Sequence, residues 1–379
     1  MARATDSPNQ PSSVVKLIFI HHSTGQNWLD DNNGGLGIAL RENNYFVSDT
    51  NYGWGPNSIG DSTDIPDWLT WFGSENTTTY MTALYNESGT HSSYSRGTLS
   101  DPGGENEIIM FKSCFPNSDL WGTPDDLPSP PDYPLTVGNA KYVYNQLLLY
   151  FEAHPDKLFV VITAPPLIDG THAANARAFN QWLMNDWLSQ NNYTLKNVAI
   201  FDLYNVLTGP DNHHRFNNNA VEHIFTQGMN TLYYPTGGDD HPSQTGNIKA
   251  TNEFVTLLNV FYHRWKSDII PPTATTGMST HVTTGSATLN GDVNPNGLST
   301  TYYFEWGATT SYGNTIPSTA ASVGSGTENV HVSADITGLN PGTIYHYRIV
   351  AVSSAGTSYG SDRIIEKAHG QPFLMLLLE

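Results

Sequence analysis

Cysteine and basic residues are scarce in this 379-residue chain, and each shortage excludes a class of function. A single cysteine, Cys114, leaves no internal disulfide and no multi-cysteine zinc or iron–sulfur site. Only 16 lysines and arginines face 35 aspartates and glutamates, a formal net charge of -19, which disfavours polyanionic partners and nucleic acid most of all. No apolar run approaches the 18 or so residues that a membrane-spanning helix needs. The polar start, Met1 to Pro11, also lacks the apolar stretch of a signal peptide. Residues 1–12 are therefore expected to be disordered or cloning-derived sequence ahead of a mature secreted protein. The tail 366–379, ending in Phe373 to Glu379, is set aside in the same way.

What the chain does have is 33 glycines, 23 prolines and many small polar residues, a loop-rich composition. Pro271-Pro272 follows a helical pattern over Ala250 to Lys266 and divides the chain in two. Beyond it, short alternating runs (Ser286 to Gly291, Thr301 to Trp306, Asn329 to Ser333, Thr343 to Ala351) are separated by turns such as Asn294-Pro-Asn-Gly297, the pattern of an antiparallel β-sandwich. With Trp306, Gly338-Leu-Asn-Pro-Gly-Thr343 before Tyr345-His-Tyr347, and Ala351-Val-Ser-Ser-Ala-Gly356, this stretch resembles a bacterial fibronectin type III module over 271–365. Trp306, Leu339 and Tyr345 are expected to be core residues.

Residues 13–268 read differently. Val14 to Ile20, Glu107 to Phe111, Lys157 to Thr163 and Asn197 to Phe201 are continuous apolar runs, as in parallel strands buried on both faces; Tyr45 to Ser48 is a fifth candidate. Helical patterns over Gly35 to Glu42, Val137 to Ala153 and Ala173 to Leu188 alternate with them, which predicts an α/β sandwich. Such sheets carry their chemistry at the carboxyl ends of the strands.

Two polar segments stand at those ends and a third stands before the last helix. His21-His22-Ser23-Thr24-Gly25 follows the first run; Ser23 is either a nucleophile or a helix cap. Asn117 follows the third, as an oxyanion donor or an Asx turn. Gly237-Gly-Asp-Asp-His-Pro-Ser243 precedes the last helix; His241 is either a general base oriented by a carboxylate or part of a solvated turn. Cys114 is a rival nucleophile, and His21, His22, Asp239, Asp240 and His241 are a rival metal set. His213-His214 reads as a surface loop.

In this order, Ser first and Asp with His before the terminal helix, the segments resemble the SGNH hydrolases, or GDSL esterases. The resemblance implies a flavodoxin-like three-layer α/β/α fold and hydrolysis of carboxylic esters without metal or cofactor. It assigns Ser23 as nucleophile and His241 as base. Asp239, Asp240 or no carboxylate would be the orienter, with Asp239 preferred. The oxyanion would be held by the N–H groups of Ser23 and Gly60 and the side chain of Asn117, with Gly53 and Gly55 as competitors for Gly60. The chain departs from the family's Gly-Asp-Ser by reading His21-His22-Ser23, and Gly238 stands where an Asp is usual. A literal Gly60-Asp61-Ser62 lacks a strand leading into it. The expected protein is a secreted serine esterase acting on small or glycan acetyl and short-chain acyl esters. A non-catalytic carbohydrate-binding or adhesion protein using Trp54, Trp68, Trp71 and Trp121 is the alternative, and oligomeric state is unreadable.

Overall fold

A computed structural model describes residues 6–226, 228–267 and 269–365, which fall into two compact units meeting at residues 268 and 269. The tail 366–379 and Met1 to Thr5 lie outside the described residues. Among the described residues no helix is long and apolar enough to cross a membrane.

The first unit is mixed α/β. It opens with β1 (Val15–Ile20), α1 (Ser23–Leu29), α2 (Leu36–Glu42) and β2 (Tyr45–Thr50). Then come α3 (Trp68–Gly73), α4 (Thr77–Asn86), β3 (Ile108–Lys112), α5 (Val137–Ala153) and β4 (Leu158–Ile162). The unit continues with α6 (Ala173–Asn185), α7 (Trp187–Gln190), β5 (Val198–Phe201) and α8 (Leu203–Leu207). Two hairpins, β6 (His213–Asn217) with β7 (Ala220–Ile224) and β8 (Pro235–Thr236) with β9 (Asp239–Pro242), lead into α9 (Gln244–Lys266).

The first five strands form one parallel sheet in the order β2-β1-β3-β4-β5. Every residue in them is buried, so both faces are covered. Period-two alternation assigns the faces. Ile18, Ile20, Ile109, Phe111, Phe159 and Val161 share a core with the apolar sides of α3 to α7. Phe19 and Phe201 face the other way, against Trp28 of α1 and Phe254 of α9. The apolar runs thus marked the strands correctly because these strands have no solvent face.

Two expectations change. Residues 6–11 of the supposed disordered start lie along α9: Arg264 donates to Asp6 at 2.7 Å, and Asn259 and His263 donate to the Pro8 and Asn9 carbonyls. His213-His214 begins a strand, with the His214 ring buried against Phe201 and its Nδ1 accepting the Asp202 N–H at 3.0 Å. Asn218 and Asn219, both at positive φ, close that hairpin as a two-residue turn requires.

The second unit is an antiparallel sandwich of β10 (Thr273–Thr276), β11 (Ser286–Asn294) and β14 (Val330–Thr337) against β12 (Thr300–Gly307), β13 (Asn314–Gly324), β15 (His346–Ser353), β16 (Gly356–Tyr359) and β17 (Arg363–Ile364). Leu339 and Tyr345 are in its core and Trp306 packs against it, as expected. The longest strand, β13, escapes a pattern search because it is an exposed edge of mostly small and polar residues interrupted by Pro317.

Burial lowers the pKa of His21, His22 and His214, the last to about 3. A histidine that protonates more readily when unfolded favours folding above the unfolded pKa of about 6.5 and draws the chain toward unfolding as pH falls below it. Asp49 and Asp202, held below the carboxylate range by hydrogen bonds with His21 and His223 that outweigh their burial, lose their contribution only at lower pH. Denaturant unfolding should therefore show stability declining from just below pH 6.5, at up to about 1.4 kcal/mol per pH unit for each histidine fully titrating. The slope should be shallower in His214→Asn, which keeps an acceptor for the Asp202 N–H; an unchanged slope would remove His214 from the account.

Candidate active site

The loop after β1 divides its three polar residues among three directions. His21 Nε2 meets Asp49 Oδ2 at 3.1 Å, with both side chains fully buried. Asp49 also accepts from Ser92 Oγ, the His91 N–H and Tyr94 Oη at 2.6, 2.6 and 3.0 Å. Gly25 makes room for the imidazole: a Cβ there would lie 2.5 Å from that of His21. His22 turns the opposite way, donating from Nε2 to the Gly60 carbonyl and accepting from Thr63 Oγ1 at 2.9 Å through Nδ1. The two histidines are thereby fixed as supports, turned away from His241 rather than gathered with it as a metal set.

Ser23 is the first residue of α1. The cap position belongs to His22, so the Ser23 hydroxyl is not consumed in capping. Its Oγ lies 3.0 Å from His241 Nε2 and 3.3 Å from Cys114 Sγ. The Ser23 N–H, in the first helical turn, has no intrahelical acceptor.

His241 reaches this point from a hairpin. Thr236 pairs with Asp239, and the two residues between, Gly237 and Gly238, have φ of 54° and 97°. A two-residue turn with both residues in the left-handed region favours Gly-Gly. This is the physical reason that Gly occupies position 238. Asp239 Oδ1 accepts the His241 N–H at 2.9 Å and stands 3.5 Å from His241 Nδ1. Asp240 does other work, accepting the Ile168 N–H at 2.6 Å and pinning the hairpin to the loop after β4. The Phe115 ring meets the imidazole edge-on, centroids 5.1 Å apart.

Two expected oxyanion donors have other employment. The Gly60 N–H donates to the Trp54 carbonyl at 2.8 Å, and the Gly60 carbonyl receives His22. Gly60 also allows close approach, since an added Cβ would fall 2.8 Å from Trp54 Cβ. Asn117 donates from Nδ2 to Asp64 Oδ1 at 2.6 Å and to the Cys114 carbonyl at 3.4 Å, while its Oδ1 accepts the Ile65 N–H at 2.7 Å. It ties the loop after β3 to the segment before α3. Gly53 donates its N–H to Asp61.

Tyr52 is the residue the sequence did not single out. Its ring stacks on His22, centroids 3.9 Å apart and 21° between planes, and its hydroxyl comes to Ser23. Burial and the nearby charges of Cys114, Asp61 and Asp64 raise its pKa, so it is a donor at neutral pH. The available signal was its place directly after β2 and Asn51. Cys114 lies between Ser23, Thr24 and the buried Lys112. Burial alone would raise its pKa, but the Lys112 ammonium and hydrogen bonds from Ser23 and Thr24 bring it below the usual thiol range.

No protein-family model matches the chain, and no curated protein matches it significantly. Similar solved structures include the sensor domain of the anti-sigma factor RsgI4 of Pseudobacteroides cellulosolvens (16% identity, 26% of this chain and 96% of that one, TM-score 0.21). A human fibronectin type III domain from KIAA0970 is similar at 15% identity over 26% of this chain and 75% of that one, with a TM-score of 0.17. Chitinase ChiA74 from Bacillus thuringiensis spans 87% of this chain and 66% of its own at 10% identity and a TM-score of 0.21. Likenesses at these scores assign neither family nor activity.

Because Gly60 is packed on both sides, Gly60→Ala should cost about 1–3 kcal/mol of stability, read as a lowered unfolding midpoint. A midpoint within error of the parent's would show that the Trp54 contact yields freely.

Proposed function

We propose that the first unit is an SGNH-type serine esterase and the second a fibronectin type III-like module, together a secreted enzyme for acetyl or short-chain acyl esters. The observation that carries the reading is the 3.0 Å contact between Ser23 Oγ and His241 Nε2. It forms beyond the carboxyl ends of the strands, where open parallel sheets hold their ligands. The strand order β2-β1-β3-β4-β5 is that of flavodoxin-like sheets and supports the same class.

In this mechanism His241 removes the Ser23 proton as Oγ bonds to the ester carbonyl carbon. The negative charge moves to the carbonyl oxygen, held by the Ser23 N–H and the Tyr52 hydroxyl. The tetrahedral species expels the alcohol, which takes the proton back from the imidazolium, and an acyl-serine remains. Water repeats the sequence: His241 takes its proton, the oxygen adds to the acyl carbon, and the Ser23 oxygen leaves, taking the proton back from the imidazolium as the acid is released. Asp239, half-exposed at least and 3.5 Å from Nδ1, gives the imidazole weak orientation, so the pair works nearly as a dyad.

The binding alternative loses most of its surface: Trp54, Trp68 and Trp71 are buried, and only Trp121 of its four tryptophans is exposed. The cysteine alternative keeps a specific support in the lowered pKa of Cys114, and labelling separates it from the serine.

With p-nitrophenyl acetate, Ser23→Ala and His241→Ala should each lose at least about 10⁴-fold in kcat, and Tyr52→Phe about 10–100-fold. Asp239→Asn should lose only about tenfold. A fluorophosphonate probe should label the parent and Cys114→Ala but not Ser23→Ala; labelling that followed Cys114 would overturn the assignment.

A further inference from the structure

A cavity of about 540 Å³ lies against the turn that carries Pro116 and Asn117. Its walls come from the turn after β3, the segment before α3 and the Pro-rich loop before α5, with Trp121 and Tyr133 on one side and Asp64, Asp67, Asp119 and Asp132 around it. We propose that this groove binds a neutral saccharide chain and carries the sugar portion of an acylated glycan while its ester lies at Ser23. The inference rests on the esterase reading for its ester, but not for its sugar.

Trp121 is 47% exposed and Tyr133 94%, yet the backbone of Trp121 is firmly held. Its N–H donates to the Leu135 carbonyl at 2.9 Å and its carbonyl accepts from Val137 at 3.0 Å. Asn175 Nδ2 donates to the carbonyls on either side, Leu120 and Gly122, at 2.8 and 3.0 Å. One side of the indole packs against His172, centroids 4.7 Å apart, and His172 Nδ1 is fixed by Asp119 Oδ1 at 2.6 Å. A rigid, half-exposed indole is a stacking platform with little entropy left to lose on binding.

The polar groups select what stacks. The groove's lining includes no lysine or arginine, which disfavours phosphate, sulfate and uronate ligands. The aspartates also accept within the protein: Asp64 from Asn117 Nδ2 and the Asp67 N–H, Asp67 from the Asp64 N–H, Asp119 from His172 Nδ1 and Asp132 from the Tyr133 N–H. Carboxylate oxygens are acceptors only, and their matching ligand presents donors, as sugar hydroxyls do beside the C–H face that covers the indole. With His172 against one side of Trp121, the rings make a platform rather than the cage that selects quaternary ammonium. Pro116 and Asn117 share a single turn with Phe115, which touches His241, so the groove and the reacting pair meet through one rigid element.

The test uses the full chain, Trp121→Ala and Tyr133→Ala, whose side chains are exposed and carry no core packing. On acetylated xylo-oligosaccharides, Trp121→Ala should raise KM by about tenfold or more while kcat/KM for p-nitrophenyl acetate stays within about twofold. Separately, Ser23→Ala should bind at least one of unmodified xylohexaose, cellohexaose or maltohexaose by calorimetry, and the double variant with Trp121→Ala should lose that binding. This second arm reads the groove even if no ester is cleaved, so failure of the esterase reading is distinguishable. Equal losses on both esters, absence of binding to all three hexasaccharides, or a Trp121-dependent preference for acylcholine over acetylated sugar would each overturn the proposal.

Discussion

The contact between a hydroxyl at position 23 and an imidazole at position 241 depends on keeping a short exposed hairpin in one place over the end of a buried sheet. Closing so long a stretch of chain carries an entropic cost that local attraction between two polar groups cannot offset. The offset comes from elsewhere. Asp240 fastens the hairpin to the Ile168 N–H, the Ser243 N–H donates to the Tyr234 carbonyl, and Leu232 donates to Leu167 across the loop after β4. Behind these, α9 is seated on the sheet through Phe254 against Phe201 and Trp28. The reacting pair inherits the rigidity of the apolar core.

The same division governs the serine side. His21 and Asp49 are both removed from water, and each would be costly there alone; the pairing and the Ser92, His91 and Tyr94 hydrogen bonds to Asp49 offset that cost. His22, clamped between Gly60 and Thr63, offers its ring to Tyr52. The Gly60 N–H and the Asn117 side chain are spent on structure, so the proposed mechanism assigns the oxyanion to the Ser23 N–H and the Tyr52 hydroxyl instead.

Cys114 is a chemically conspicuous neighbour of Ser23, and the proposed mechanism gives it no step. It is 3.3 Å from the Ser23 oxygen and faces the buried Lys112, so its thiol is acidified. The imidazole at 3.0 Å, however, is turned toward the serine oxygen. Under the proposed mechanism, proton transfer would follow that hydrogen bond.

Much of this was legible before any coordinates. Continuous apolar runs pointed to strands covered on both faces, the double proline to the end of the first unit, Ser23 was marked by following the first run, and His241 by the Asp-Asp-His-Pro segment before the terminal helix. Those conclusions follow from local sequence because periodicity and backbone sterics are local. Tyr52, the hairpin beneath His241, the use of Asn117 and the burial of His214 were decided by the tertiary structure. A side chain's hydrogen-bond partners are set by which distant segments the packed core brings alongside it, and residues tens or hundreds of positions apart carry no local trace of that neighbourhood.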